Sequence, residues 1–151
     1  TSRTNELVSA LNLARSEAIR RGARVTLCKS SSGTACTDSG NWEQGWIAFV
    51  DTTRSGTTAS VDSGETILSV QQATSGSTLI KGSSNVAAYV SFGADGRPRT
   101  LAGAFTSGKL LTCSTSTALS NSVRAREVEL STVGVLFTTT PRCVASSCPA
   151  H

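Results

Sequence analysis

The sequence predicts an α+β fold, in which an N-terminal α-helix packs on antiparallel β-sheets. Only the first 21 residues show the apolar spacing of a helix, and the later apolar segments are short, strand-like and separated by turn residues. No helical segment lies between these strands, so the parallel sheet of a βαβ fold is not expected. A chain of 151 residues fits one domain, and we assign residues 1–151 to a single head domain.

The predicted helix covers residues 3–21. Four apolar residues recur at intervals of four, three and four and therefore share one helix face: Leu7, Leu11, Ala14 and Ala18. Arg20 and Arg21 favour the negative end of the helix dipole, and Gly22 is placed to cap it. Because half of the apolar face is alanine, we expect the helix to lie close against a flat partner, which a sheet provides.

Strands are predicted after Gly22 at residues 23–29, 46–51, 66–70, 87–92, 110–113, 127–130 and 133–138. The segment 46–51 (WIAFVD) is the most apolar and predicts a buried strand with Trp46 in the core. Trp42 precedes it in a loop and is expected to cover a sheet edge. The Asp-Gly pair within residues 93–99 predicts a hairpin turn.

Five cysteines, at positions 28, 36, 113, 143 and 148, indicate the disulfide framework of an exported protein. A bridge between Cys28 and Cys36 is favoured, because a strand followed by a short Ser/Gly loop brings the two residues close. Cys113 and Cys143 flank the last strands and form the second candidate bridge. The alternative is a local bridge between Cys143 and Cys148.

Catalysis finds no support in the sequence, and we expect no enzyme activity, no cofactor and no metal. The one histidine is the last residue, His151, and no Gly-x-Ser-x-Gly or phosphate-loop motif occurs. A cysteine nucleophile would need a histidine held within the fold. The net charge of +4 is compatible with nucleic-acid binding but also with a role in solubility alone.

Three stretches resemble the FimT/FimU minor pilins of type IV pili and the GspH pseudopilins of type II secretion. They are residues 5–11 with 13–21 (NELVSAL and LARSEAIRR), 25–28 (VTLC) and 45–51 (GWIAFVD), in the order and spacing of that family. The resemblance covers about the first third of the chain. It implies a pilin-like fold and a subunit that helps to initiate pilus assembly near the tip through contacts with other minor and major pilins. A pseudopilin of type II secretion is one alternative.

The resemblance also implies an apolar upstream half of the helix, a transmembrane segment that this sequence does not contain. That segment would anchor the protein in the inner membrane before assembly, and the protein would then occupy the periplasm or the cell-surface pilus. The face formed by Leu7, Leu11, Ala14 and Ala18 would continue into the packed core of the fibre.

A second alternative is a minor pilin that binds double-stranded DNA for uptake in natural transformation. FimT-type pilins implicated in DNA uptake carry a Gly-Arg-x-Arg motif after a Val-Glu-Leu-Ser type strand. Here that position reads Gly-Val-Leu-Phe (residues 134–137), and the literal motif stands at 96–99. Arginines on a stiff turn suit phosphate, although a solvated turn is the simpler interpretation. The candidate DNA-binding residues are Arg97, Arg99, Arg124, Arg126 and Arg142.

Overall fold

The computed structural model describes residues 2–52, 59–73, 78–116 and 118–141. Within these ranges one α-helix is followed by nine strands, which confirms the predicted α+β class. The elements are α1 (Ser2–Arg21), β1 (Val25–Lys29), β2 (Gly45–Val50), β3 (Ile67–Gln72), β4 (Thr78–Gly82), β5 (Tyr89–Phe92), β6 (Pro98–Arg99), β7 (Gly108–Ser114), β8 (Ala125–Leu130) and β9 (Leu136–Thr139).

The strands form two antiparallel sheets. The first sheet has the order β3-β2-β1-β5-β6, and the second has the order β4-β7-β8-β9. Every strand pair is antiparallel. The turn between β5 and β6 contains Asp95 and Gly96, so the predicted hairpin is confirmed.

Helix α1 ends where the sequence predicts. The Gly22 amide donates to the Ile19 carbonyl at 3.3 Å, and the Ala23 amide donates to the Ala18 carbonyl at 3.2 Å. Gly22 has φ +62°, so this paired arrangement is a glycine C-cap. Glu17 accepts hydrogen bonds from Arg20 and Arg21 at 2.6 and 2.8 Å on the exposed side of the last turns.

One hydrophobic core fills the space between α1 and the two sheets. The first sheet contributes Val25 and Leu27, and the second contributes Ile80, Val128 and Leu130, among others. The alternate residues of β1 and β2 face the other side of the first sheet. There Cys28, Ile47 and Phe49 form a smaller cluster with Ala59 and Leu101, from the segments that follow β2 and β6. The first sheet is therefore buried on both faces at β1 and β2, which explains why every residue of β1 is buried.

Both tryptophans lie in the main core. Trp46 is almost fully buried, as predicted. Trp42 is fully buried as well, and its indole Nε1 donates to the Val86 carbonyl at 3.1 Å. The two rings are tilted by 57° with centroids 6.5 Å apart. Trp42 thus fills the interior rather than covering a sheet edge.

The sequence patterns did not predict β4. In this strand Ile80 is the one large apolar side chain that is fully buried. Because Leu79 directly precedes it, the sequence does not show the alternation of apolar and polar residues that predicts a strand. The two-residue strand β6 was not predicted either. The seven predicted strands are confirmed to within about three residues at each end.

The predicted bridge between Cys28 and Cys36 is confirmed, with Cα atoms 5.7 Å apart. It joins β1 to the loop after it. Lys29 fixes the same loop, because its Nζ donates to the Gly40 carbonyl at 2.8 Å. Cys113 is also disulfide-bonded. Its proposed partner Cys143 lies outside the described residues, as do Cys148, His151 and Arg142.

Candidate functional site

The apolar face of α1 holds the helix to its own sheets. Its four residues, Leu7, Leu11, Ala14 and Ala18, are fully buried within the chain. Along the described helix they therefore pack against the chain's own sheets. The exposed side of α1 carries small polar residues instead, at Asn5, Ser9, Asn12 and Ser16.

Three segments meet at one end of the molecule, which we call the hairpin end: the last turns of α1, the β5–β6 turn and the β8–β9 turn (residues 131–135). Arg15 links the first two, because its Nε donates to the Gly96 carbonyl at 3.1 Å. Arg97 links the second and third, because its Nε donates to the Thr132 carbonyl at 3.1 Å. The two turns are therefore held against each other and against α1.

Gly96 and Gly134 make this close approach possible. Both have positive φ, +76° and +89°. A Cβ atom at Gly134 would lie 2.3 Å from the Gly96 carbonyl oxygen, and one at Gly96 would lie 2.6 Å from Ile19 Cδ1. The positive φ strains other residues at both positions, and at Gly134 a side chain would also collide with the backbone of Gly96. The structure thus brings the 96–99 motif beside the turn at 134–137, although 38 positions separate Gly96 from Gly134 in the sequence.

Phe105 holds the guanidinium groups of Arg97 and Arg99 together. Their Cζ atoms lie 3.8 and 4.2 Å from the centroid of its ring, which is within the range of cation–π contacts. Arg99 also donates to the Gly103 carbonyl and to Asp95 Oδ2, both at 3.0 Å. The ring and these bonds place two cations close together on a partly exposed surface.

Asp95 is the acidic group of this turn. Its Oδ1 accepts the backbone amide of Arg97 at 3.1 Å, and its Oδ2 accepts Arg99. The amide of Arg97 is the main cause that lowers the pKa of Asp95, and the Arg99 guanidinium adds to it. Asp95 is therefore held in its ionised form, and both its oxygens are already engaged.

The other candidate arginines lie elsewhere. Arg124 is buried, and its guanidinium donates to the carbonyls of Ser114, Ser116 and Leu119 at 2.6–2.9 Å. Arg126 is at the start of β8, whereas Arg97 contacts Thr132 beyond its end. Six residues of extended chain separate these points, roughly 20 Å. The structure therefore groups Arg97 with Arg99 and sets Arg124 and Arg126 apart.

A polar cleft of about 500 Å³ lies beside the hairpin end and contains Arg24, Asp51 and Arg99 in its lining. Burial raises the pKa of the Asp51 carboxyl, and the Thr26 hydroxyl, which donates to Oδ2 at 2.9 Å, opposes that effect. The described lining of this cleft contains no histidine, cysteine or lysine.

Over residues 2–52, 59–73, 78–116 and 118–141, no cluster of His, Cys, Asp or Glu is arranged to hold a metal ion. In the same part of the chain, no helix has the length and hydropathy required to cross a membrane.

Residues 3–134 match the family model described as type II transport protein GspH. The chain belongs to the GspH family. The resemblance identified from residues 5–21, 25–28 and 45–51 is thereby confirmed. The match of this GspH-family chain extends well beyond that first third and ends just before β9.

Two crystal structures of the type IV minor pilin FimU from Pseudomonas aeruginosa PAO1 share the fold of this GspH-family chain. One, in space group P65, superposes with a TM-score of 0.64 at 19% identity. The other, in space group P21, has a TM-score of 0.57 at 16% identity. In each case the similarity covers 93% of this chain and 96% of FimU. No curated protein matches the chain by sequence.

Sequence patterns missed two members of the hairpin end, Arg15 and Phe105. Arg15 lies off the apolar face of α1 and looks like any solvent-facing arginine. Phe105 is a lone aromatic residue in a stretch of Gly, Ala, Ser and Thr, and no local pattern marks its contact with the two arginines.

Proposed function

We propose that this GspH-family protein is a minor pilin subunit of a type IV pilus that contributes to assembly near the pilus tip through contacts with other pilins. The observation that carries the proposal is the fold shared with FimU over 93% of this chain and 96% of the other. In this role the protein is located in the periplasm or in the pilus, and it is anchored in the inner membrane before assembly.

The attachment of α1 supports this role physically. A subunit that transmits force along a fibre needs its N-terminal helix fixed to its β-sheets. Here the buried face of α1 contacts the first sheet and β8 of the second, and Arg3 adds polar contacts at the other end of the helix. The Arg3 guanidinium donates to the carbonyls of Glu43 and Gln72, each at 3.2 Å, and its Cζ lies 4.6 Å from the Trp46 ring centroid.

The assembly role is tested by deleting the gene in the source bacterium and restoring the full-length protein. We expect few or no surface pili after deletion and recovery of pili on restoration, with protein secretion unchanged. Electron microscopy of cells and immunoblots of sheared fibres measure the first effect. Loss of secreted enzymes with normal pili would reject the pilus role and identify the protein as a pseudopilin of type II secretion.

DNA binding is a second candidate function, favoured by one observation. The Gly96-Arg97-Pro98-Arg99 turn lies against the β8–β9 turn, the position at which FimT-type pilins carry their Gly-Arg-x-Arg motif. Displacement of the motif along the sequence is therefore compatible with a similar location in space. Phe105 keeps the two guanidinium groups near each other, as contact with adjacent phosphates requires.

This second candidate predicts weak, salt-sensitive binding of short duplex DNA. Two phosphate contacts give a slope of roughly −1.8 for the logarithm of the binding constant against the logarithm of salt concentration. Replacing Arg97 and Arg99 with glutamine is expected to abolish most of that slope in gel-shift titrations. Arg126→Gln together with Lys81→Gln is the matched control, since it also removes two positive charges, on β8 and β4 of the second sheet. Equal binding by the double variant and the control would exclude the hairpin end as a DNA site.

A further inference from the structure

Exposed apolar side chains concentrate at the hairpin end. Among the described residues, eight large apolar side chains are exposed, and three of them belong to the segments that meet here: Ile19, Val133 and Val135. A fourth, Phe105, follows β6 and contacts Arg97 and Arg99. Val133 is 52% exposed and Ile19 is 48% exposed. Phe137, on β9 directly after the turn, extends the apolar surface at 54% exposure. Exposed apolar side chains that cluster in this way mark interaction sites, whereas singly scattered ones do not.

The surface around these apolar residues is positively charged. The last turns of α1 and the β5–β6 hairpin carry two carboxylates, Glu17 and Asp95, against five arginines, which leaves a net charge of +3; the arginines are Arg15, Arg20, Arg21, Arg97 and Arg99. Both oxygens of Asp95 are engaged within the turn itself. A partner that covers the apolar residues would therefore need its own carboxylates at the rim.

We propose that the hairpin end is the docking surface for a neighbouring pilin subunit that presents an apolar patch bordered by Asp or Glu. This inference rests on the proposed assembly function. It specifies the kind of partner surface that the hairpin end would bind. A second copy of the same surface does not fit, because it would bring arginines against arginines.

The geometry favours a protein over DNA as occupant. The apolar side chains of Ile19, Val133 and Val135 have no counterpart on a phosphate backbone. The guanidinium groups also already donate to the Thr132 and Gly103 carbonyls, and they contact the ring of Phe105. That arrangement suits the rim of an apolar interface, where arginine and aromatic residues are enriched.

Site-specific photo-crosslinking in living cells tests the inference on the full-length protein. The photoreactive residue p-benzoylphenylalanine replaces Val133 in one variant and Val70 in a matched control. Val70 is 46% exposed, but it lies on the edge strand β3 of the first sheet. After irradiation, sheared fibres are isolated and crosslinked species are identified by mass spectrometry.

We expect Val133→p-benzoylphenylalanine to form a crosslink to another pilin, and Val70→p-benzoylphenylalanine to give at most one-tenth of that yield. Adding Arg97→Glu to the first variant is expected to reduce the yield several-fold, since it places a carboxylate opposite those of the partner. A fibre that contains the protein but shows no pilin crosslink at position 133, or a crosslink to DNA there, overturns the inference. Absence of the protein from fibres overturns the assembly function itself.

Discussion

Replacing Trp42 with alanine is expected to lower the free energy of unfolding by about 3–5 kcal/mol, the usual cost of removing a large buried aromatic side chain. The ring is fully buried in the core shared by α1 and both sheets, and its Nε1 bond to Val86 would also be lost. Urea unfolding followed by circular dichroism measures the change.

Two further variants make the Trp42 experiment specific. Trp42→Phe keeps most of the apolar volume but not the indole N–H, so its loss of stability should be clearly smaller than that of Trp42→Ala. Phe137→Ala removes an aromatic side chain that is 54% exposed, and it should change stability by less than about 1 kcal/mol. If Trp42→Ala also changed stability by less than about 1 kcal/mol, the result would contradict the packing of the two sheets around this ring.

Removing the bridge between Cys28 and Cys36, by Cys28→Ala together with Cys36→Ser, is expected to cost about 2.5 kcal/mol on the chain-entropy model. The bridge closes a short loop, with a sequence separation of 8, and the loop restricts the unfolded chain. Alanine at position 28 avoids a buried hydroxyl beside Ile47 and Phe49. Thermal and urea unfolding under oxidising conditions give the value.

Reduction provides the control for the bridge. In the double variant, added dithiothreitol can act only on the remaining disulfide, which involves Cys113. The reductant should therefore destabilise the double variant less than the unmodified protein. Equal sensitivity of the two proteins to the reductant would mean that the first bridge contributes nothing, because hydrogen bonds such as Ser30 Oγ to the Ala35 carbonyl, 2.6 Å, already fix the loop.

Local sequence patterns predicted the structural features that are formed by residues close to one another in the sequence. The four-three-four spacing of Leu7, Leu11, Ala14 and Ala18 identified the buried face of α1, since a helix repeats every 3.6 residues. The Asp-Gly pair identified the β5–β6 turn, and Gly22 identified the end of α1. The short spacing of Cys28 and Cys36 made their bridge predictable from chain geometry alone.

Other features depended on contacts between distant segments. Strand β4 was missed because its place in the second sheet depends on pairing with β7, which lies some 30 residues further along the chain. Arg124 resembled a surface cation, yet it is buried because the chain around it supplies three carbonyl acceptors. The sequence did not indicate that Trp42 is fully buried, because this residue follows a polar loop.

The sequence by itself determined the α+β class, the sheet-facing side of α1 and the first disulfide, because short-range periodicity and spacing encode each of them. Three short segments also carried the resemblance to the GspH family. Only the tertiary structure decided which arginines lie together. Arg97, Arg99 and Arg15 converge at the hairpin end because Gly96 and Gly134 let two turns approach within a distance that any side chain would prevent. Such convergence depends on how distant segments pack, and no local pattern records it.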